Sequence, residues 1–237
     1  MLKFFKKQKE IVAVMSGKKD GQMKLRARGY IKNRQKFLSQ LGIDLKDVVS
    51  ADLCHGKSVK IIKGISAQGG SASGGIPKTD GLVSNQSGIF LAVTVADCLP
   101  IVFFEPNKKI VGMVHSGWKS TVKNIAEVAV KKIKQLGGNP KDLMVEAGPG
   151  IGECHFEVGR ETLPKFKKYQ KFVKIKQGKY FIDLKGIIRY QLEKSGIKKS
   201  NIKISKTCTF CDKKYFSSRR DNNKITKVGI VIIGIKK

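Results

Sequence analysis

Histidine, acidic side chains and long apolar runs are all scarce in this sequence, and each shortage excludes a class of protein. Of its 237 residues only three are histidine and 18 are Asp or Glu. Three imidazoles are too few for a histidine-rich metal centre. No stretch approaches the ~20 apolar residues of a membrane-spanning helix, and the run from 11 to 15 is too short for a signal-peptide core. We therefore expect a soluble, cytoplasmic protein without a membrane partner.

Cysteine is also infrequent, and its number is odd. Five cysteines in a chain of this length argue against a disulfide framework and favour reduced thiols or metal ligands. A second C-x-x-C motif is missing beside Cys208-x-x-Cys211, so that pair is either half of a zinc site, completed by Cys154-His155, or a redox pair, or a buried and inert pair. The sequence pattern favours the buried, inert pair.

Lysine and arginine are abundant, and the formal net charge is +30. Such a charge attracts acidic partners in general. The lysines are spread along the whole chain, however, and no basic run is interleaved with the aromatic residues on which single-stranded nucleic acids stack. We interpret the charge as a lysine-rich surface, and nucleic acid is not an expected partner.

The hydrophobic pattern alternates between strand and helix signals. Short β-branched runs bounded by Gly, Pro or Asn predict strands, and apolar residues at helical spacing predict helices. The predicted strands cover 10–16, 47–53, 59–62, 89–95, 101–104, 110–114, 143–147, 202–205 and 228–235. The predicted helices cover 30–41, about 117–136, and 183–194. A glycine- and serine-rich loop at 64–75 is either a lid or an insertion, and its composition favours an insertion.

Three side chains with metal-binding chemistry fall at ends of predicted strands. Cys98 lies between two of them, His115 follows a third, and His55 lies at a polar corner between two more. Imidazole and thiolate are ligands that zinc prefers, and three protein ligands with one open position form a catalytic type of site. Two alternatives stay open at this point: structural histidines, or a metal-free cysteine hydrolase with Cys98 as nucleophile and His115 as base.

Four sequence blocks resemble those of the laccase-domain family, also called multicopper polyphenol oxidases. The blocks are TVADCLPIVFFEP, VGMVHSGWKST, GPGIGECHFEVG and CTFCDKKYFSSRRD, and they cover most of the chain from about residue 48 onward. The resemblance implies a zinc-dependent purine nucleoside phosphorylase with adenosine deaminase activity. It also implies an α+β fold, a single domain (1–237) of mixed β-sheets flanked by helices, with which the predicted strands and helices agree.

The resemblance assigns the metal to His55, Cys98 and His115. This sequence departs from the family pattern at two places. Near the N-terminus it has MSGKKDG where the family has Ser/Thr-Arg-x-Gly-Gly, and it has Lys119 where the family commonly has arginine. Lysine keeps the charge but loses the forked donor geometry. Asn33-Arg34 resembles a family Asn-Arg pair. Copper is the alternative metal, in a polyphenol oxidase.

The expected chemistry combines a zinc-activated water, which would attack C6 of adenosine, with phosphate, which would attack C1′ of the ribose. We expect the phosphate near Gly117 and Trp118, with Lys119 and Arg220 as its cations. Asp97, beside Cys98, is expected to carry protons or to support the metal ligands. The partners are therefore purine nucleosides and phosphate, and the sequence assigns no oligomeric state.

Overall fold

The computed structural model describes residues 1–65, 70, 74–221 and 227–236. Across these residues the chain forms fourteen strands and four α-helices. The strands are β1 (Leu2–Lys3), β2 (Ile11–Met15), β3 (Val48–Ser50), β4 (Val59–Ile61), β5 (Gly81–Ser84), β6 (Phe90–Val95), β7 (Leu99–Glu105), β8 (Ile110–Ser116), β9 (Met144–Ala147), β10 (Glu157–Val158), β11 (Val173–Lys176), β12 (Lys179–Ile182), β13 (Ile202–Ile204) and β14 (Gly229–Ile235). The helices are α1 (Tyr30–Ser39), α2 (Trp118–Val122), α3 (Ile125–Gln135) and α4 (Leu184–Lys194).

The strands form three sheets. The order is β1-β2-β14-β6-β3 in the five-stranded sheet, β13-β9-β7-β8-β5-β4 in the six-stranded sheet, and β10-β12-β11 in a small one. Both large sheets mix parallel and antiparallel pairs, since β3 is parallel to β6 and β4 to β5, whereas β7 and β8 are antiparallel. The predicted α+β class with mixed sheets is therefore confirmed.

Alternation along β7 shows how the six-stranded sheet is packed. Leu99, Ile101 and Phe103 belong to one apolar cluster, which also contains residues of α3 and α4. Val102 and Phe104 belong to a second cluster, shared with the five-stranded sheet. Because successive side chains of a strand point to opposite faces, this sheet is covered by helices on one face and by the other sheet on its second face.

The five-stranded sheet is buried on both faces in the same way. Leu91 and Val93 of β6 face the six-stranded sheet, whereas Phe90 and Ala92 pack in a third cluster that includes Phe37 of α1. The layers are therefore α1, sheet, sheet, and the helices α3 and α4. This burial on both faces explains why the central strands are nearly continuous apolar runs.

One local prediction is wrong, and several short elements were not predicted. The helix expected at about 117–136 is broken into α2 and α3, because Asn124 adopts the left-handed conformation (φ 57°) between them. Asn is one of the few non-glycine residues that tolerate this conformation. The short strand β5 and the small sheet of β10, β11 and β12 were not predicted. Most of the glycine- and serine-rich loop, residues 66–69 and 71–73, lies outside the described residues.

Within the described part of the chain, no helix combines the length and the apolar character that crossing a membrane requires.

Candidate metal centre

The side chains of His55, Cys98 and His115 converge at one end of the two large sheets. Their candidate ligand atoms all lie within 4.8 Å of one another, and the two imidazole rings meet edge to face with centroids 4.8 Å apart. The three residues are far apart in sequence, so the fold itself brings them together. The predicted trio therefore forms one cluster.

The register of the sheet explains two of these positions. Pro100 of β7 pairs with His115 of β8, which places Cys98, just before β7, beside the end of β8. The third position arises because the chain passes from β3 in one sheet to β4 in the other. His55 lies on this crossing, with φ 57°, a conformation in which histidine is enriched among non-glycine residues.

Asp80 holds two of the three candidate ligands, and the sequence reasoning missed it. Its carboxylate is fully buried and accepts hydrogen bonds from the backbone N–H of His55 (2.8 Å) and of Gly56 (2.7 Å), and from the Cys54 thiol (3.1 Å). It also lies 3.3 Å from Nδ1 of His115. With Nδ1 donating to Asp80, the Nε2 atom of His115 is left for a metal ion.

Hydrogen bonds keep Asp80 ionised despite its burial. Burial by itself raises the pKa of this carboxyl group, but donors from His115, Cys54 and Gly56 outweigh it and lower the pKa to about 2. The same carboxylate fixes the orientation of His115, together with the hydrogen bond that the His115 backbone N–H donates to the Asp80 carbonyl oxygen (2.7 Å). One local feature of the sequence points to Asp80 as a candidate site residue, namely its position directly before the short apolar strand β5.

Cys98 and His115 shift each other's pKa in opposite directions. Burial opposes a charged thiolate, yet the nearby His115 and His55 lower the pKa of Cys98 to about 6. Burial likewise opposes an imidazolium, yet Cys98 and Asp80 raise the pKa of His115 to about 9. The thiol therefore loses its proton readily, which is what a metal ligand and a cysteine nucleophile both require.

Gly117 leaves the space between the three side chains empty. A Cβ atom at this position would lie 2.8 Å from Sγ of Cys98, 3.3 Å from Cδ2 of His55 and 3.8 Å from Cε1 of His115. Any larger residue would therefore fill the volume where the three ligand atoms meet. Together with one thiol and two imidazoles, this gap favours a shared metal ion over three unrelated structural side chains.

The cluster opens into a cavity of about 630 Å³, within the usual range for small-molecule sites. His55, Cys98 and His115 line one wall. The other walls combine apolar side chains with cations and carboxylates: Trp118, Ile151, Phe156, Leu184, Lys24, Arg26, Arg219, Asp52 and Asp97. An open position at the candidate metal would therefore face a space large enough for a substrate.

The other predicted site residues lie at different distances from this cavity. Asp97 lines it, but its carboxylate accepts hydrogen bonds from the Thr209 hydroxyl (2.6 Å) and the Arg219 backbone N–H (2.7 Å). Lys119 is exposed, with Nζ 5.7 Å from the ring of Trp118, and does not belong to the lining. Asp97 is thus well placed to hold the 208–221 loop against the cavity, and Lys119 lies at its rim.

The guanidinium of Arg220, expected to contact phosphate, donates within its own loop. Its Nη1 donates to the carbonyl oxygens of Thr209 and Phe210, its Nη2 to that of Tyr215, and its Nε to the Asp221 carboxylate. Four of its five N–H donors are thereby used within its own loop. Arg219, its neighbour, lines the cavity instead. Arg34 of the Asn-Arg pair is buried against Met23 O and lies outside the cavity.

A second cluster contains Cys154, His155, Cys208 and Cys211, whose candidate ligand atoms also lie within 4.8 Å of one another. The prediction that Cys208 and Cys211 are both buried is wrong, because Cys211 is exposed and only Cys208 is buried. Cys154-His155 does approach the C-x-x-C pair, as a completed zinc site requires.

Fold and site together define a class of protein: an α+β chain with two histidines and a cysteine gathered at the wall of a cavity. The chain belongs to the family described as multi-copper polyphenol oxidoreductase laccase, whose sequence profile matches residues 26–235. The resemblance found in the four sequence blocks is thereby confirmed.

Individual relatives agree with this assignment. The chain is similar to purine nucleoside phosphorylase YlmD of Bacillus subtilis, with 30% identity over 215 residues, 87% of this chain and 77% of that protein. It is 33% identical over 194 residues to adenosine deaminase RL5 of an unknown prokaryotic organism, covering 76% and 72% of the two chains. The crystal structure of hypothetical protein YfiH of Bacillus licheniformis superposes with a TM-score of 0.88 at 32% identity, over 95% of this chain and 93% of that one.

Proposed function

We propose that this protein is a zinc-dependent purine nucleoside phosphorylase that also deaminates adenosine. The observation that carries the proposal is the convergence of His55, Cys98 and His115 at the wall of a cavity large enough for a nucleoside. The names of its relatives supply the substrate class, since one is a purine nucleoside phosphorylase and another an adenosine deaminase.

The donor set supports zinc as the ion. One thiolate and two imidazoles with an open fourth position match catalytic zinc sites, whereas multicopper centres use more histidines than the three in this chain. A zinc ion bound here would supply a Lewis acid and lower the pKa of a bound water toward ~7.

The cavity walls provide complementary surfaces for a purine and a ribose. Phe156, Trp118, Ile151 and Leu184 offer apolar area against which a flat base can pack. The polar part of the lining includes Arg26 and Asp52, which form a salt bridge with an N···O distance of 3.0 Å. We assign the base to the apolar wall, and this places the sugar among the polar groups.

Arg219 is the cation best placed to hold phosphate. Its Nη1 donates to the carbonyl oxygens of His155 (3.3 Å) and Glu157 (3.0 Å), and this fixes the guanidinium at the cavity wall. Its Nε and Nη2 donors form no hydrogen bond within the described part of the chain, and they can form the forked contact that phosphate favours. In this proposal Lys119 adds charge at the rim, Arg220 holds the loop, and Asp97 positions Arg219.

Both reactions balance with groups that this site can accommodate. In phosphorolysis, a phosphate oxygen forms a bond to C1′ while the bond from C1′ to the purine nitrogen breaks, and the base leaves with a proton. In deamination, water adds at C6 and the amino group leaves as ammonia. The chain's own contribution is to bind and orient the nucleoside, to hold phosphate near C1′, and to exclude bulk water.

Incubation of adenosine with the purified protein tests the proposal. With phosphate we expect adenine, ribose 1-phosphate and inosine-derived hypoxanthine, and without phosphate only inosine. Chromatography resolves these products, and elemental analysis of the same sample identifies the ion. Absence of both reactions in zinc-loaded protein would refute the proposed function.

Replacement of Arg219 tests where phosphate binds. We expect Arg219→Gln to raise the KM for phosphate about tenfold or more, because charged hydrogen bonds contribute about 1.5–3 kcal/mol and about 1.4 kcal/mol corresponds to a factor of ten. Deamination of adenosine, which uses no phosphate, should change much less. Lys119→Ala should shift the KM for phosphate in the same direction by a smaller factor.

Arg28→Gln is the matched control, because Arg28 is exposed and lies outside the cavity lining. It should leave both reactions unchanged. Equal losses of phosphorolysis and deamination in Arg219→Gln would contradict a phosphate-specific role for this arginine.

A further inference from the structure

A second group of metal-binding side chains lies outside the nucleoside site. Cys154 and His155 follow β9, and Cys208 and Cys211 precede β14. Sγ of Cys154 is 3.9 Å from Sγ of Cys211, and Nδ1 of His155 is 3.2 Å and 3.3 Å from these two sulfur atoms. Cys208 completes the group, with all four candidate ligand atoms within 4.8 Å of one another.

These distances match the edges of a small tetrahedron. Zinc binds cysteine sulfur at ~2.3 Å and histidine nitrogen at ~2.0–2.1 Å, so tetrahedral geometry places two sulfur ligands about 3.8 Å apart and a sulfur and a nitrogen about 3.6 Å apart. The observed separations lie within a few tenths of an ångström of these values. Three thiols and one imidazole from two separate segments thus supply the donor set of a four-ligand zinc site.

The backbone around the group brings the two segments together. Gly150 forms a β-bridge with Cys208, and the N–H of Gly152 donates to Sγ of Cys208 at 3.2 Å. A Cβ atom on Gly152 would lie 3.2 Å both from Sγ of Cys154 and from Cβ of Cys208, so glycine keeps this approach open. Backbone N–H donors to a cysteine sulfur are typical of the surroundings of a metal-bound thiolate.

The histidine ring is oriented by its own contact. His155 stacks on Phe210, the residue next to Cys211, with ring centroids 4.0 Å apart and an interplanar angle of 18°. The stacking holds Nδ1 toward the sulfur atoms. The aromatic residue inside the C-x-x-C motif therefore has a function that the sequence alone did not indicate.

We propose that Cys154, His155, Cys208 and Cys211 bind a second zinc ion, which is structural. Four protein ligands close the coordination shell, in contrast to the three ligands and open position at Cys98. The ion would join the loop 148–159 to the loop 208–221. Both loops also form the nucleoside cavity, through Ile151 and Phe156 on one side and Arg219 on the other.

Hydrogen bonds near the proposed ion connect the two loops to each other and to the nucleoside cavity. Arg219 donates to the carbonyl oxygen of His155, and the carboxylate of Asp97, the residue before Cys98, accepts from the Thr209 hydroxyl. A zinc ion at the base of the two loops would hold this network in place. The site is independent of the proposed activity, because its ligands and their geometry do not depend on the reaction.

Metal counting on four variants of the full-length chain tests the second site. After loading with Zn²⁺ and removal of excess ion, we expect two zinc ions per chain in the original protein, one in Cys98→Ala, one in Cys211→Ser, and none in the double variant. Lys213→Ser, at an exposed position of the same loop and outside both groups, should retain two. Cys211 is exposed, so serine is compatible with folding there.

Cobalt substitution gives a readout that does not depend on turnover. The second site has three thiolates and the first has one, so Cys211→Ser should remove most of the sulfur-to-cobalt charge-transfer absorption and Cys98→Ala only a small part. The proposal is overturned if the original protein binds one ion that Cys98→Ala removes, or if Cys211→Ser still binds two. A disulfide between Cys154 and Cys211 in freshly reduced protein would overturn it as well. None of these outcomes would decide whether the first site binds zinc or whether the protein turns over nucleosides, because those points are tested separately.

Discussion

Replacement of Cys98 by alanine should abolish nucleoside turnover and remove one zinc ion per chain. The substitution deletes the only thiolate of the first cluster and leaves two imidazoles, too few for a stable zinc site. Metal-ion catalysis contributes several kcal/mol of transition-state stabilisation, and about 1.4 kcal/mol corresponds to a factor of ten. We therefore expect phosphorolysis and deamination each to fall at least about a hundredfold, measured by chromatography of adenosine with and without phosphate.

A second variant separates loss of the ion from loss of the thiol. Gly117→Ala keeps His55, Cys98 and His115, but its Cβ would lie 2.8 Å from the sulfur of Cys98. It should weaken zinc binding and lower both activities. Gly64→Ala is the matched control, because no atom of the described residues lies within 4 Å of a Cβ built on Gly64, and it should behave like the original protein.

Chelation and alkylation of the original protein distinguish a zinc-dependent enzyme from a metal-free cysteine hydrolase. The lowered pKa of Cys98 and the raised pKa of His115 would suit a nucleophile and its base as well as metal ligands. A hydrolase would keep its activity after chelation and lose it to alkylation, whereas the proposed enzyme loses activity to chelation and regains it with zinc. Full turnover by metal-free Cys98→Ala protein would contradict the zinc-dependent mechanism.

The sequence was sufficient to predict the central strands and the three side chains that converge at the cavity wall. Runs such as 89–95 and 110–114 are buried on both faces, so their apolar continuity identified them as strands. Their ends then identified Cys98 and His115 as candidates, because polar residues directly after buried strands meet at the edges of sheets. His55 followed from the same reasoning at the corner after β3.

Contacts that depend on tertiary packing could not be predicted in this way. Asp80 precedes a strand of four residues, too short for a clear periodic pattern, and its contacts with His55 and His115 follow from the pairing of β5 with β8. Arg219 and Arg220 are adjacent and chemically identical. They differ in their surroundings: Arg220 donates to carbonyl oxygens of its own loop, whereas Arg219 lines the cavity.

The break between α2 and α3 illustrates the same limit at short range. Apolar residues from 122 to 136 keep a helical spacing across Asn124, so the periodicity predicts one continuous helix. The structure instead places Asn124 in the left-handed region, and the Tyr169 hydroxyl donates to its side-chain oxygen at 2.5 Å. A residue 45 positions away thus contributes to where the helix ends, which a local pattern cannot report.

Replacement of Asp80 by asparagine should weaken both the folded state and the metal site. The carboxylate accepts from two backbone N–H groups and a thiol, and it contacts His115, all in a fully buried position. Asparagine has nearly the same shape, but its amide nitrogen cannot accept, so donors on one side lose their partner. Hydrogen bonds to charged groups contribute about 1.5–3 kcal/mol each, and we expect a loss of about 3 kcal/mol in the free energy of unfolding of the metal-free protein, measured in urea.

Zinc affinity gives the more specific test, because it separates positioning of the ligands from general stability. Without the carboxylate, neither the turn that carries His55 nor the ring of His115 is fixed, and loss of such supporting groups typically lowers metal affinity about 10–100-fold. Competition with a chelator measures this under conditions where the variant is fully folded. Asp44→Asn is the control, since that side chain is 71% exposed and forms a surface ion pair with Lys46, and it should change stability by less than about 0.5 kcal/mol. Unchanged zinc affinity in Asp80→Asn, with a lower stability, would mean that Asp80 supports the fold alone, and that the two imidazoles are held in place by Cys98 and the sheet register.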